Sequence, residues 1–225
     1  MKTERIAALI LAAGCSARMG AFKPLLPIGD RTVLEIVIAL YRSAGIFDIF
    51  VVLGHRAEDI QPILDKLGVV SIFNDGYHEG MFSSVQTGVK RISGFFDAFF
   101  LHPADMPGLR PETIRLLVAT RREKDALVLH PCHKGRRGHP PLISTALIPA
   151  ILAFDEPGGM RTFLSRCHDG ARHVECEDPG ILTDLDTPDD YRRLAGEKGP
   201  GASDLNNEAV AFHVGVKLEF PPDCL

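Results

Sequence analysis

Residues 5–20 carry the stretch that decides the fold, RIAALILAAGCSARMG. Its first part, residues 5–11, is a short apolar run after one arginine, which is typical of a strand buried in a parallel sheet. Its second part, residues 12–20, consists largely of glycine and small residues and predicts a loop. Open α/β sheets bind their ligands where such loops leave the carboxyl ends of the strands. The stretch therefore predicts a buried first strand followed by a binding loop.

The remainder of the chain alternates apolar runs with helical patterns, as βαβ units do when they form a mostly parallel sheet. Strands are predicted at residues 49–53, 69–73, 95–101, 126–130 and 173–177. Helices are predicted at residues 33–43, 57–67, 81–91, 111–122, 144–154, 160–168 and 187–195. Thr32 and Glu35 have the spacing of a capping box at the start of the first helix. We therefore predict an α/β fold with a mostly parallel central sheet.

Composition narrows the class of protein. The 225 residues are 45% hydrophobic and 24% charged, which suits one domain with a full core or one domain plus an appendage. A net charge of −4 gives no broad footprint for nucleic acid. The apolar run over residues 6–13 is too short to span a bilayer and lacks the layout of a signal peptide. The five cysteines are irregularly spaced and do not suggest a disulfide framework, so we expect a cytoplasmic protein. From the charge and the short apolar run we expect no nucleic-acid partner and no membrane partner.

The character of the chain changes at residue 196. Residues 196–201, GEKGPG, have the composition of a flexible linker, and the residues after them show no clear periodicity. We therefore expect one α/β domain over residues 1–195. Residues 196–225 are expected to be a linker or tail that leads to a second domain outside this chain.

The first loop has the composition of a phosphate-binding site. Its small residues let the backbone approach a triphosphate, and its N–H groups can bind anionic oxygens. Arg18 and Lys23 add positive charge that can neutralise phosphates and stabilise a leaving pyrophosphate. The spacing is neither that of a Walker A loop nor that of a Rossmann fingerprint. The alternative interpretation is a glycine-rich turn flanked by surface cations.

Asp105 is the leading candidate for a metal ligand. It follows the predicted strand at residues 95–101, so it should lie at the same edge of the sheet as the first loop. A carboxylate there can hold Mg²⁺, which bridges phosphate oxygens and offsets charge during in-line attack. The alternative is an aspartate that starts a turn before Pro107.

Together these segments resemble the MobA-like NTP transferase family. The motif LAAGCSARMG with Lys23 looks like the signature of that family, and three later segments support the match: residues 74–84, residues 138–140 and residues 184–191. The resemblance covers about residues 4–195. It is closest to the branch that makes molybdopterin cytosine dinucleotide. It implies a Rossmann-like three-layer fold of the nucleotide-diphospho-sugar transferase type.

The resemblance also implies an activity. The chain is expected to be a Mg²⁺-dependent nucleotidyltransferase that joins CTP to molybdenum-loaded molybdopterin and releases pyrophosphate, with a molybdenum hydroxylase apoenzyme as a further partner. The expected catalytic residues are Arg18, Lys23 and Asp105. The expected nucleotide-binding residues are Leu11, Ala12, Ala13, Gly14, Ser16, Lys23, Asn74 and Ser84.

The role of Asp186 stays open between two interpretations. Related nucleotidyltransferases often have a second carboxylate on the metal, and Asp186 or Asp184 matches that role. Equally, Asp186 can cap the helix that begins near Pro188, with Thr187 also eligible. We therefore expect Asp105, and by resemblance Asp186, as metal ligands.

Residues 131–141 are basic and rich in Gly and Pro, and they predict a loop. The histidines and cysteine between residues 130 and 139 suggest zinc, but no partner pair stands at ligand spacing. We favour a loop that shapes the acceptor site, where Arg136, Arg137 and His139 meet a phosphate. A solvated basic loop is the alternative.

Two rival functions follow from the same residues. A guanylyltransferase or a sugar-phosphate nucleotidyltransferase of the same superfamily would keep the first loop and Asp105. A carrier protein that delivers the cofactor without turnover would not need a site for metal and phosphate, so Lys23 and Asp105 argue against it. Release of pyrophosphate distinguishes the enzymes from the carrier.

Overall fold

The computed structural model describes residues 4–15, 21–123 and 126–196. The strands are β1 (Ile6–Ala12), β2 (Pro27–Ile28), β3 (Arg31–Thr32), β4 (Ile49–Leu53), β5 (Val70–Phe73), β6 (Ala98–Pro103), β7 (Val128–His133), β8 (Arg136–Arg137), β9 (Leu142–Ser144) and β10 (Ala171–Glu175). The α-helices are α1 (Val33–Ser43), α2 (Ala57–Leu67), α3 (Met81–Ile92), α4 (Pro111–Glu123), α5 (Ile148–Ala153), α6 (Gly159–Arg166) and α7 (Pro188–Ala195).

Strand β1 lies near the middle of the main sheet, whose order is β10-β7-β9-β6-β1-β4-β5, with β8 beside β7. It pairs in parallel with β4 on one side and with β6 on the other. Strand β9 is antiparallel to both of its neighbours. Strands β2 and β3 form a separate antiparallel pair. The prediction of a mostly parallel central sheet is therefore confirmed.

Helices cover both faces of this sheet, so the fold has three layers. On one face, Ala8 and Ile10 of β1 belong to a core that includes residues of α1, α2 and α4. On the other face, Ala7 and Leu9 belong to a core that includes residues of α3, α5 and α6. Because β1 is buried on both sides, its sequence has to be apolar at successive positions rather than at alternate ones.

The bounds of α1 and α2 are confirmed as predicted. At α1 the side chain of Thr32 accepts a hydrogen bond from the Glu35 N–H, and Glu35 accepts one from the Thr32 N–H, which is the predicted capping box. Helix α2 continues through Pro62 and ends at Leu67, and its C-cap residue Gly68 has a φ of +62°, which suits glycine. Local signals therefore mark the start of α1, through its capping box, and the end of α2, through Gly68.

The predicted loop over residues 131–141 is wrong in part. Strand β7 continues to His133 and pairs with β8 in a hairpin, with Cys132 opposite Arg137. The turn between them is made by Lys134 and Gly135, which have φ angles of +50° and +74°. The prediction failed because β8 has no apolar alternation and is fixed by its pairing with β7.

Other predicted elements are shifted by a few residues. The strand predicted at 95–101 is β6, the strand predicted at 126–130 is β7, and the strand predicted at 173–177 is β10. The helix predicted at 144–154 is divided into a 3₁₀ turn, Thr145–Leu147, and the helix α5. Such ends depend on pairing between strands, which a single stretch of sequence does not contain.

The tail predicted for residues 196–225 lies, beyond Gly196, outside the described residues, and its role stays a prediction. Among the helices of the described ranges, none combines the length and the apolar character that crossing a membrane requires.

Candidate active site

The loops after β1 and β6 meet at one edge of the sheet. The two strands lie side by side with Leu11 opposite Pro103. Beyond the strands, the backbone N–H of Ala104 donates to the carbonyl oxygen of Leu11 across 2.9 Å. This contact places Asp105 beside the first loop, as the sequence predicts.

A cavity of about 280 Å³ opens at this edge. It lies between the first loop, the start of α3 and the turn after β6. Most of the predicted nucleotide-binding residues in the described ranges line it. The predicted residues that do so are Leu11, Ala12, Ala13, Gly14, Lys23 and Ser84. The other described residues of the lining are Cys15, Pro24, Tyr77, Gly80, Met81, Pro103, Ala104 and Asp105. Ser16 and Arg18 lie outside the described residues.

Lys23 joins two of the predicted carboxylates. Its ammonium group donates to Oδ2 of Asp105 at 3.0 Å and to Oδ1 of Asp186 at 2.7 Å. The lysine side chain is 10% exposed and both aspartate side chains are 28% exposed. Burial acts to lower the pKa of Lys23, but the two carboxylates outweigh it, and the pKa is raised. Lys23 therefore stays charged, and one cation spans both aspartates.

One backbone hydrogen bond and one buried side chain, both of Leu185, bring Asp186 to Asp105. The N–H of Leu185 donates to the carbonyl oxygen of Asp105 at 2.9 Å, and the Leu185 side chain is fully buried. Thr187 caps α7 and forms a capping box with Asp190. The helix-cap interpretation of Asp186 is therefore wrong, because Thr187 has that role and Asp186 faces Lys23.

His102 holds the turn that carries Asp105. The ring is fully buried, and its Nε2 lies 3.1 Å from the carbonyl oxygen of Met106. A carbonyl can only accept, so Nε2 donates, and Nδ1 accepts from the Tyr41 hydroxyl at 2.9 Å. Burial lowers the pKa of His102 to about 4. This neutral histidine was missed by the sequence analysis, although it stands three residues before Asp105.

Asn74 is not among the described residues that line the cavity. It is 4% exposed, and its Nδ2 donates to the hydroxyls of Ser83 and Ser84 at 2.9 and 3.0 Å. Its Oδ1 accepts from the Gly76 N–H at 3.1 Å. Asn74 therefore braces the turn before α3, and Ser84 is the member of this group that reaches the cavity.

Tyr77 forms a wall of the cavity that the sequence analysis missed. It packs so closely on Gly54 that a Cβ added at position 54 would lie 2.5 Å from the Tyr77 Cβ and 2.9 Å from the Cβ of Ala13. The ring also lies near that of His55, at 6.4 Å between centroids. The position of Tyr77 thus depends on the missing side chain at Gly54, a signal that the sequence alone does not connect to it.

The segment before β9 approaches the same carboxylates. The backbone N–H of His139 donates to the carbonyl oxygen of Ile181 at 2.9 Å. The surroundings desolvate the His139 ring and lower its pKa, while the charges of Asp105 and Asp184 act in the opposite direction. The His139 ring therefore lies close enough to Asp105 for the charge of that carboxylate to act on it.

A three-layer α/β fold with a cation and two carboxylates beside its first loop has the features of a nucleotide-binding enzyme. The chain belongs to the MobA-like NTP transferase family, whose domain model matches residues 8–173. It is a nucleotidyltransferase of that family, and the predicted Rossmann-like fold is confirmed.

Individual relatives are similar to the chain over most of their length. Molybdenum cofactor cytidylyltransferase from Escherichia coli (strain K12) is 32% identical over 187 residues, covering 81% of this chain and 92% of that protein. Nicotine blue oxidoreductase from Paenarthrobacter nicotinovorans is 28% identical over 196 residues, covering 84% and 96%. The crystal structure of Rv0371c from Mycobacterium tuberculosis H37Rv, in complex with manganese, shares the fold. It has a TM-score of 0.66 and 24% identity, covering 86% of this chain and 98% of that one.

Proposed function

We propose that this nucleotidyltransferase transfers the cytidylyl group of CTP to molybdenum-loaded molybdopterin. An oxygen of the acceptor phosphate forms a bond to the α-phosphorus of CTP. The bond from that phosphorus to the oxygen bridging to the β-phosphorus breaks, and pyrophosphate leaves with the electron pair. The products are molybdopterin cytosine dinucleotide and pyrophosphate, without a covalent enzyme intermediate. The observation that carries the proposal is the contact of Lys23 with both Asp105 and Asp186 beside the first loop.

The cavity suggests how the nucleotide lies. Gly14, Lys23 and Asp105 all line it, and we propose that the triphosphate binds beside them, against the backbone of Gly14. Tyr77, Ser84 and residues 11–13 also line it, and the base is proposed to bind beside them. Ser16 and Arg18, which lie outside the described residues, are proposed from the sequence to bind phosphates as well.

The two carboxylates fit a divalent cation. One oxygen of Asp105 and one of Asp186 already converge on a single positive charge. Magnesium commonly takes one or two protein carboxylates and completes its shell with phosphate oxygens and water. The manganese bound to Rv0371c supports a divalent metal in this fold. When bound, Mg²⁺ would supply charge neutralisation on the phosphates, and Asp105 and Asp186 would hold it.

The acceptor is proposed to approach from the side of His139. Arg137 lies near enough to His139 and His130 to lower the pKa of both rings by charge repulsion. A phosphate group of the acceptor would meet this positive charge and stand across Asp105 from CTP. The identity with the Escherichia coli cytidylyltransferase favours molybdopterin as that acceptor. A molybdenum hydroxylase apoenzyme is the proposed recipient of the product.

The test is release of pyrophosphate with Mg²⁺ and molybdenum-loaded molybdopterin, comparing CTP, GTP, ATP and UTP. The variants are Asp105→Asn and, as the matched control, Asp169→Asn. Asp169 is an exposed aspartate that is distant from Asp105 in the chain. We expect release with CTP that Asp105→Asn abolishes and Asp169→Asn retains. Release with GTP would replace the base assignment by the guanylyl alternative. Absence of release with all four nucleotides would contradict the proposal and favour the carrier.

A further inference from the structure

The ammonium of Lys23 contacts the same two carboxylates that are proposed to hold the metal. Its nitrogen lies within 3.0 Å of one oxygen from each aspartate. Lys23 begins a 3₁₀ turn, Lys23–Leu25. Its carbonyl oxygen accepts a hydrogen bond from the Leu26 N–H at 3.1 Å, which holds the lysine backbone in place. The side chain is 10% exposed, so this contact is enclosed rather than a surface ion pair.

We propose that Lys23 competes with the divalent cation for Asp105 and Asp186, and that the triphosphate of the nucleotide relieves this competition. The inference rests on the proposed function and adds a form of regulation to it. Metal and nucleotide then bind with positive coupling, so the metal is retained mainly when a nucleotide is present.

Electrostatics gives the reason for the competition. The ammonium and a divalent cation repel each other, and both would use the same carboxylate oxygens. In the described part of the chain, no group of three or more His, Cys, Asp and Glu side chains is placed to hold a metal ion. A metal that is held by only two carboxylates needs further oxygen ligands, and apart from water these come from the phosphates of the substrate. Without nucleotide, Lys23 therefore binds the two carboxylates in preference to the metal.

The triphosphate changes that balance in two ways. Gly14 and Lys23 line one cavity, so phosphates bound against the first loop lie beside the ammonium. They offer Lys23 new anionic partners, and they give the metal further oxygen ligands. Because coupling between two ligands is reciprocal, the metal tightens nucleotide binding by the same factor.

The experiment measures the affinity for Mn²⁺ by electron paramagnetic resonance, with and without an α,β-methylene analogue of CTP that cannot be cleaved. The variants are Lys23→Met and, as a matched control, Lys66→Met, because Lys66 is an exposed lysine in the last turn of α2. For the wild-type protein and the control, we expect the analogue to tighten Mn²⁺ binding by about tenfold or more. Without analogue, Lys23→Met should bind Mn²⁺ about tenfold more tightly than wild type.

Two results would overturn the inference. One is equal Mn²⁺ affinity of wild type and Lys23→Met without the analogue. The other is equal tightening of both by the analogue. If Lys23→Met does not fold, Lys23→Gln removes the charge while keeping a hydrogen-bond donor, and the same comparison applies. Failure of the inference leaves CTP-dependent pyrophosphate release by wild type intact, whereas failure of the proposed function removes that release while the Mn²⁺ affinities still differ.

Discussion

The backbone N–H of Leu185 donates to the carbonyl oxygen of Asp105 across 2.9 Å. This bond joins the turn after β6 to the segment before α7. It leaves the carboxylates of Asp105 and Asp186 on the same side, where the Lys23 ammonium contacts both. The site is thus assembled by a backbone contact between segments that are distant in the chain, and the following predictions test its parts.

Substitutions at Asp186 and Asp190 should distinguish a role in catalysis from a role in helix capping. Asp186→Asn is expected to lower kcat/KM for CTP by about 100-fold, because it removes a carboxylate from the charged centre. Its free energy of unfolding should stay near that of wild type. Asp190→Asn weakens the capping box, in which Asp190 accepts from the Thr187 N–H at 2.9 Å, and should cost about 1 kcal/mol of stability with little effect on turnover. Steady-state kinetics and urea denaturation of both variants provide the check, and the reverse pattern would refute the assignment.

Acid should destabilise the fold through its buried histidines. Burial lowers the pKa of His102 from 6.5 to about 4. Burial, with Arg137 adding to it, lowers that of His130 to about 4 as well. At a pH between about 4 and 6.5, these two histidines bind more protons in the unfolded chain than in the folded one. The stability is therefore fully present above pH 6.5 and is lost as the pH falls towards 4. Each histidine contributes roughly 3 kcal/mol to that loss.

Urea denaturation of wild type and His102→Gln, near pH 7.5 and near pH 4.5, measures this effect. Glutamine can donate to Met106 but does not titrate. The variant should therefore lose less stability on acidification than wild type does. An equal loss in the two proteins would show that His102 does not contribute to the pH dependence.

Gly54 should matter for nucleotide binding through Tyr77. Gly54→Ala places a Cβ 2.5 Å from the Tyr77 Cβ, so the tyrosine has to move away from the cavity wall. We expect the KM for CTP to rise by about tenfold, which corresponds to about 1.4 kcal/mol. If the effect acts through the tyrosine, Tyr77→Ala and the double variant should have similar KM values. Additive effects of the two substitutions would contradict this link.

Arg136 and Arg137 should differ in their effect on the acceptor. Successive residues of a strand point to opposite faces, and Arg137 is paired with Cys132. Arg137 is also the arginine whose charge reaches His130 and His139. Arg137→Gln is expected to raise the KM for the acceptor by about tenfold through loss of a charge-assisted hydrogen bond. Arg136→Gln is the matched control, and similar kinetics for the two variants would argue for a merely solvated basic hairpin.

Much of the fold could be predicted because its signals are local. The capping box of Thr32 and Glu35 fixes the start of α1, and apolar runs mark β1 and β4 in the interior of the sheet. The hairpin of β7 and β8 was missed, since Arg136 and Arg137 show no apolar alternation and adopt a strand only by pairing. The bounds of α1, α2 and β4 are as predicted, whereas β1 is shifted by one residue, to Ile6–Ala12, and the elements whose ends depend on a neighbour shifted as well.

The candidate site divides in the same way. The sequence by itself determined that the first loop and Asp105 lie at one sheet edge, because both follow buried strands that run in the same direction. Only the tertiary structure decided that Asp186 faces Lys23 rather than capping α7, and that Tyr77 forms a wall against Gly54. These outcomes depend on contacts between residues far apart in the chain. Strand register and close packing fix such contacts, and no local sequence signal encodes them.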